Sequence, residues 1–154
     1  YDLVVVDTSP FFYGPMLAVL RPTDRLLLLC GLDVPTLKNV KLSLRTLEQL
    51  GFPETRTSLV LNRVTPKVGL RTEDVESALG VRASFEIPND PAVAPCVNRG
   101  AATVLAEEPS PFSVAIALVA GSLDTGEPDA PAAAAAAPAR RRLATARRLL
   151  EGRA

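Results

Sequence analysis

The residues best placed for chemistry are polar groups at the ends of apolar runs. Leu3-Val4-Val5-Val6 stops at Asp7. Thr57 to Leu61 ends at Asn62-Arg63, and Ala83 to Ile87 ends at Pro88-Asn89-Asp90-Pro91. In a doubly wound α/β sheet the carboxyl ends of the strands open onto the ligand crevice, so polar groups there face whatever is bound. Asp7 is therefore a candidate for positioning a metal ion, and capping the turn after its strand accounts for it equally well. Asn62 and Pro88 are also ordinary turn residues for strand ends. The chain has no His, and Cys30 and Cys96 lie far apart without metal-ligand spacing, which reads as two reduced core thiols in a cytosolic protein.

The elements that must position these groups follow from the apolar patterning. Leu3 to Val6, four consecutive apolar residues of which three are β-branched, reads as a central parallel strand buried on both sides. A short helix within Phe11 to Leu20 follows, with Gly14 and Pro15 at its start. Leu26 to Cys30 is a second strand of the two-sided kind. The clearest helix starts at Asp33 to Thr36, carries Leu37, Val40, Leu44, Leu47 and Leu50 as its apolar stripe, and ends at Gly51 and Pro53. Its Lys38, Lys41 and Arg45 lie off the stripe as a solvated face. After the third strand, a helix over Glu73 to Leu79 has Thr72 as the expected N-cap and Gly80 as its stop. The fourth strand precedes a helical stretch, Ala92 to Asn98, and an amphipathic helix, Pro111 to Leu123. Four strands alternating with helices predict a partial doubly wound, mainly parallel α/β sheet with right-handed crossovers.

At 154 residues and 47% apolar, the chain suffices for one domain core. The net charge of zero conceals a division, because six of the seventeen basic residues and three of the seventeen acids lie from Thr125 onward. That leaves −3 before Thr125 and +3 after it. No apolar run approaches the length of a membrane span and no signal peptide opens the chain. The chain starts within a strand, as expected of the second half of a domain. Three parts are predicted: an α/β domain over 1–123, a Pro/Ala-rich linker over 124–139 too poor in large apolar groups to build a core, and a basic amphipathic tail helix over 140–154. Arg140 to Arg148 would suit an anionic membrane surface or an acidic partner, and an inert basic tail accounts for them as well. Nucleic-acid binding is disfavoured, since the tail has no aromatic to stack on bases and few charges for phosphates.

The set VVVDTSPFF, DVPTLKNVKLSLRTLEQLGFP, LVLNR, KVGL and IPNDPAV with VNRG resembles the carboxyl-terminal half of the MinD/ParA-type P-loop ATPases, most of all the CpaE-like branch of Flp/tad pilus assembly. It covers Tyr1 to Ser122 and excludes the tail. The resemblance implies ATP and Mg²⁺ as ligands, a homodimer in the full-length protein, and a cytoplasmic switch that positions pilus or secretion machinery; the basic tail, outside the resemblance, adds the expectation of peripheral contact at the inner membrane face. It casts Asp7 as the residue that holds Mg²⁺ through its water shell. Asn62, accompanied by Arg63, becomes the reader of the adenine edge, for which an amide supplies donor and acceptor in one plane. Pro88, Asn89 and Asp90 become the loop that walls the adenine. Ser9 departs from the family, where a Pro commonly stands two residues after the aspartate.

The family's phosphate loop lies upstream of the matched segment, and no G-K-[ST] occurs in this sequence. Lys67 follows no glycine loop. Since that loop's backbone N–H groups provide most of the grip on phosphate, the chain alone is expected to be inactive as an ATPase, with no catalytic residue of its own. The other expectation is a non-enzymatic α/β adaptor or remnant that docks through its basic tail, favoured by the missing loop and by Ser9.

Overall fold

The computed structural model describes residues 1–65, 70–106 and 108–124, the side chain of Asp124 excepted. Lys67, most of the linker and the whole basic tail, Arg140 to Arg148 included, lie outside the described residues. A three-stranded parallel sheet in the order β1 (Leu26–Gly31), β2 (Thr57–Val64), β3 (Ala83–Pro88) forms the centre. Around it run α1 (Gly14–Leu20), α2 (Val34–Gln49), α3 (Thr72–Leu79), α4 (Val93–Asn98) and α5 (Pro111–Asp124), with 3₁₀ turns at Glu54–Arg56 and Thr103–Leu105. The α/β class and the parallel crossover pattern are as the patterning predicts.

Paired residues of a parallel ladder point to the same side, so register sorts the two faces. Cys30 pairs with Leu61 and Leu28 with Leu59, and these side chains meet Val40 of α2 and Val75 of α3 in one apolar cluster. Leu29 pairs with Val60 on the opposite face. Between Leu59 and Val60 the β2–β3 register slips, which puts Ala83 on the first face and Phe85 and Ile87 on the second. There α5 packs on β3 with Ala117 and Val119 buried. Ser113, also buried, exchanges hydrogen bonds with Ser110 at the start of this helix (Ser110 N–H to Ser113 Oγ, 2.7 Å), so its hydroxyl is satisfied.

The segment expected as the central strand departs from expectation. Leu3, Val4, Val5 and Val6 form no strand, pair with nothing in the sheet and are 41 to 76% exposed. The sheet therefore has three strands where four were expected. An apolar β-branched run specifies that burial is favourable but names no partner, and a strand of the two-sided kind needs neighbours at its edges and layers on both faces. No described element supplies them. Two smaller differences concern α2 and α3. Leu50 leaves the stripe of α2 and is half exposed, because the chain turns at Gly51 in the left-handed region. At α3 the cap position is Arg71, whose backbone N–H and guanidinium both bond the Asp74 carboxylate, while Thr72 Oγ1 donates to Glu86 on β3 (2.8 Å).

Candidate functional site

The carboxyl ends of β1 and β2 border an open crevice of about 430 Å³, lined by Leu29, Gly31, Leu32, Asp33 and Thr36 on one side and Asn62 and Arg63 on the other. Each lining residue is placed by its element. Asp33 caps α2, its carboxylate accepting from the Thr36 N–H and the Thr36 hydroxyl, both at 2.8 Å. Those bonds, the backbone one first, hold its carboxyl below the usual range. The first turn of a 16-residue helix thus opens at the crevice with its cap filled. At Gly31 a Cβ would stand 2.9 Å from Asp33 Oδ2, so a side chain there would displace the capping carboxylate. The neighbouring Cys30 thiol is pushed up by burial and by the Asp33 charge, which keeps it protonated and unreactive.

Asn62 pairs with Gly31 on β1 and Ile87 on β3, which fixes its amide at the rim between the two. Arg63 adopts φ +58°, the one non-glycine in the left-handed region among the described residues. It sits in a bulge where the β2–β3 ladder jumps from Asn62 to Val64. Such a conformation costs on the order of 1–3 kcal/mol for a non-glycine residue and marks a place where the surrounding structure holds the backbone against its preference. Arg63 lines the crevice and forms no ion pair among the described residues.

Of the residues singled out by sequence, the structure brings Asn62 and Arg63 to the crevice. Pro88 ends β3 opposite Val64, and the Asn89 N–H donates to the Val64 carbonyl (3.0 Å), so this loop continues the same rim without lining the crevice. Asp90 is turned inward. Its carboxylate accepts from the Ala92 N–H (2.9 Å) and the Phe112 N–H (3.1 Å), and these bonds with that of Ser110 hold its carboxyl low. Asp90 thereby ties the end of β3 to the start of α5. Asp7 lies on the exposed, unpaired segment, does not line the crevice, and has no hydrogen-bond or ion-pair partner among the described residues. Gly31, Asp33 and Thr36 are lining residues that reading for site chemistry passed over. Their signal is a strand running into an Asp-x-x-Thr cap, legible as helix capping but not as one wall of a site.

For a planar polar ring the crevice has a half-buried amide and a cation. For a phosphate chain it has no glycine loop, and the one helix start beside it is occupied by its own carboxylate cap. No group of three or more His, Cys, Asp or Glu that could hold a metal ion occurs among the described residues. The residues present do not by themselves fit a Mg²⁺ site, since Asp7 is one exposed carboxylate without companions. No helix among the described residues is long and apolar enough to cross a membrane.

No family model matches the chain, and no curated protein matches it. Solved structures do. The chain superposes on the MinC:MinD cell division protein complex of Aquifex aeolicus with a TM-score of 0.59 at 22% identity, over 92% of this chain and 48% of that one. It superposes on the Aquifex aeolicus MinD cell division protein with a TM-score of 0.57 at 21% identity, over 88% of this chain and 47% of that one. The likeness shows a MinD-type fold, of which the chain spans about half the length.

Proposed function

We propose that a MinD-type fold with Asn62 and Arg63 at its crevice makes this chain the base-binding half of a nucleotide-dependent switch of the MinD/ParA kind. The observation that carries the reading is the bulged end of β2, where a strained Arg63 and a ladder-fixed Asn62 face the capped start of α2 across one crevice. Asn62 would read the adenine edge, and Pro88 and Asn89 would extend the wall that the ring lies against. The phosphates and Mg²⁺ would be held by a glycine-rich loop from polypeptide beyond these 154 residues, with Asp7 joining the metal's water shell once its segment is in place. ATP is the proposed ligand, the full-length protein is proposed to dimerise, and its role to position pilus or secretion machinery as in the CpaE-like branch, in the cytoplasm and at the inner membrane face.

Adenosine and ATP titrations of the chain, followed residue by residue by NMR, test this. The expected result is shifts centred on Gly31, Asn62 and Arg63, with similar affinity for both ligands in the millimolar range, about 4 kcal/mol of binding. Asn62→Ala should abolish them. Micromolar affinity for ATP would overturn the outside phosphate loop, and adenosine that leaves Asn62 unmoved would overturn base binding.

Two placements favour a second reading, a non-enzymatic adaptor. Asp90 is committed to holding α5, and Asp7 stands outside the crevice. In that reading Arg140 to Arg148 dock the chain on an anionic surface. Co-sedimentation with phosphatidylserine vesicles should then fall with salt and disappear on removal of residues 140–154.

A further inference from the structure

We infer that the outer face of α2, where Leu42 stands among Lys38, Lys41 and Arg45, docks an acidic helical segment of a partner protein that carries one apolar residue between its acids. The inference is independent of base binding, since it rests on the body of α2 and not on the crevice at its start.

The inward side of α2 is already occupied. Val40 and Leu47 are buried, and Leu37 and Leu44 pack against the core cluster. At about 3.6 residues per turn Leu42 lies on the opposite side of the helix, and it is 64% exposed. Lys38, one turn before it, and Arg45, one turn after it, are exposed as well, and neither forms an ion pair among the described residues. Lys41 completes the patch on the flank facing α3, where its ammonium donates to the Ala78 carbonyl (2.8 Å). That bond fixes one cation in place and leaves it further N–H donors. Asn39 and Ser43 occupy the other flank, so the patch stands clear of whatever packs beside β1.

The grouping runs against what a merely solvated helix favours. Like charges at i, i+3 (Lys38 and Lys41) and at i, i+4 (Lys41 and Arg45) repel each other. Glu48, the one carboxylate within α2, forms no ion pair with any of them. The kind of occupant follows from charge. Cations without ion pairs around an exposed leucine fit carboxylates set one turn either side of an apolar residue, an arrangement that covers the leucine and the charges together. From Lys38 to Arg45 the patch runs about 10 Å, the length of two helical turns. A membrane is the poorer fit, because a single leucine is little to insert and Lys41 is tied to α3. Nucleic acid is poorer again, since the patch has no aromatic side chain and few cations.

NMR titration of the full 154-residue chain with a synthetic helical peptide, bearing one Leu with Glu one turn before and one turn after it, tests this. The expected result is shifts centred on Lys38, Leu42 and Arg45, with an affinity that weakens severalfold as salt is raised. Lys38→Glu and Arg45→Glu, both at exposed positions, should each weaken binding about tenfold, and Leu42→Ser should weaken it without unfolding the helix. The same peptide with Gln in place of Glu should leave α2 unmoved. Removing residues 140–154 should leave the shifts in place. Shifts that vanish with those residues would assign the peptide to the basic tail and overturn docking on α2. No shifts in α2, or binding indifferent to both charge reversals, would overturn it as well. Phosphatidylserine vesicles that co-sediment through Lys38 and Arg45 while the peptide leaves them unmoved would replace the protein partner with a lipid surface. Adenosine shifts at Asn62 should persist in every one of these variants, so the failure of either reading is recognised separately.

Discussion

The two edges of the sheet are finished to different standards. At β3, Glu86 is bonded to Thr72, Pro88 ends the strand, and Asp90 ties the loop to α5, which covers the adjoining face. At β1, four leucines run along an unpaired edge and one of them is more than half exposed. Both strands have equally patchy burial, yet only β3 has the composition of an edge. The difference teaches that β1 is a central strand by composition standing at an edge by position. Among the described residues one edge is finished by its own chain, and the other is left open.

The largest effect that would test this contrast is in the core. Leu61 is fully buried on β2 beneath α2 and α3, so Leu61→Ala should cost about 2–5 kcal/mol in denaturant unfolding. Leu29→Ala, one strand away but exposed at the crevice, should stay within about 0.5 kcal/mol. Comparable losses at the two positions would mean that β1 is covered in solution and would remove the contrast.

Next come the two capping aspartates. Asp90 joins segments 22 residues apart through Phe112, whereas Asp33 bonds only Thr36 within its own helix start. Asp90→Ala should therefore lower the melting temperature more than Asp33→Ala, and amide exchange should quicken in α5 for the first and only at the head of α2 for the second. The reverse order would place the more rigid edge at β1.

Acid should act in the same direction, more weakly. Both carboxyls are held below their ordinary value of 3.8 in the folded chain. A depressed folded value means that these bonds contribute fully above that value, and that their contribution is lost as pH falls below it through the lower folded values. Stability measured from pH 6 downward should be level with respect to these groups until about pH 4 and then decline, with the α5 contacts released together with Asp90 protonation. Asp90→Asn should flatten that part of the decline. An unchanged decline would assign it to other carboxylates.

How far the sequence revealed this arrangement depended on the range of the interaction. Period and capping are local, so α2 with its Asp33 start and Gly51 stop, and three of the four expected strands, were legible from neighbouring residues. Asn62 and Arg63 were legible as a polar strand end, and the structure puts them in the crevice. The fate of Leu3 to Val6 was not legible, because a run of apolar residues states a preference for burial without naming the surface that provides it. The side-chain partners of Asp90 were not legible for a related reason. A carboxylate between two prolines at a strand end has the composition of a site loop, and only the return of the chain at Phe112 shows where its lone pairs go. The left-handed Arg63 had no sequence signal, since neither glycine nor asparagine marks the position.

The smallest effect separates two reasons for Gly31 at the crevice. A Cβ at this position meets only the flexible Asp33 carboxylate and, farther off, Thr36, with no backbone in the way. Gly31→Ala should then be accommodated by rotating Asp33 off its cap, and it should cost no more than losing the cap itself. Amide exchange at Thr36 should quicken to the rate seen in Asp33→Ala. The double variant Gly31→Ala/Asp33→Ala should be no less stable than Asp33→Ala alone, because the collision vanishes with the carboxylate. Additive losses would show that the glycine serves the crevice directly, keeping open space beside Asn62 that a methyl group would fill. Adenosine shifts lost in the double variant but retained in Asp33→Ala would identify that space as part of the base site.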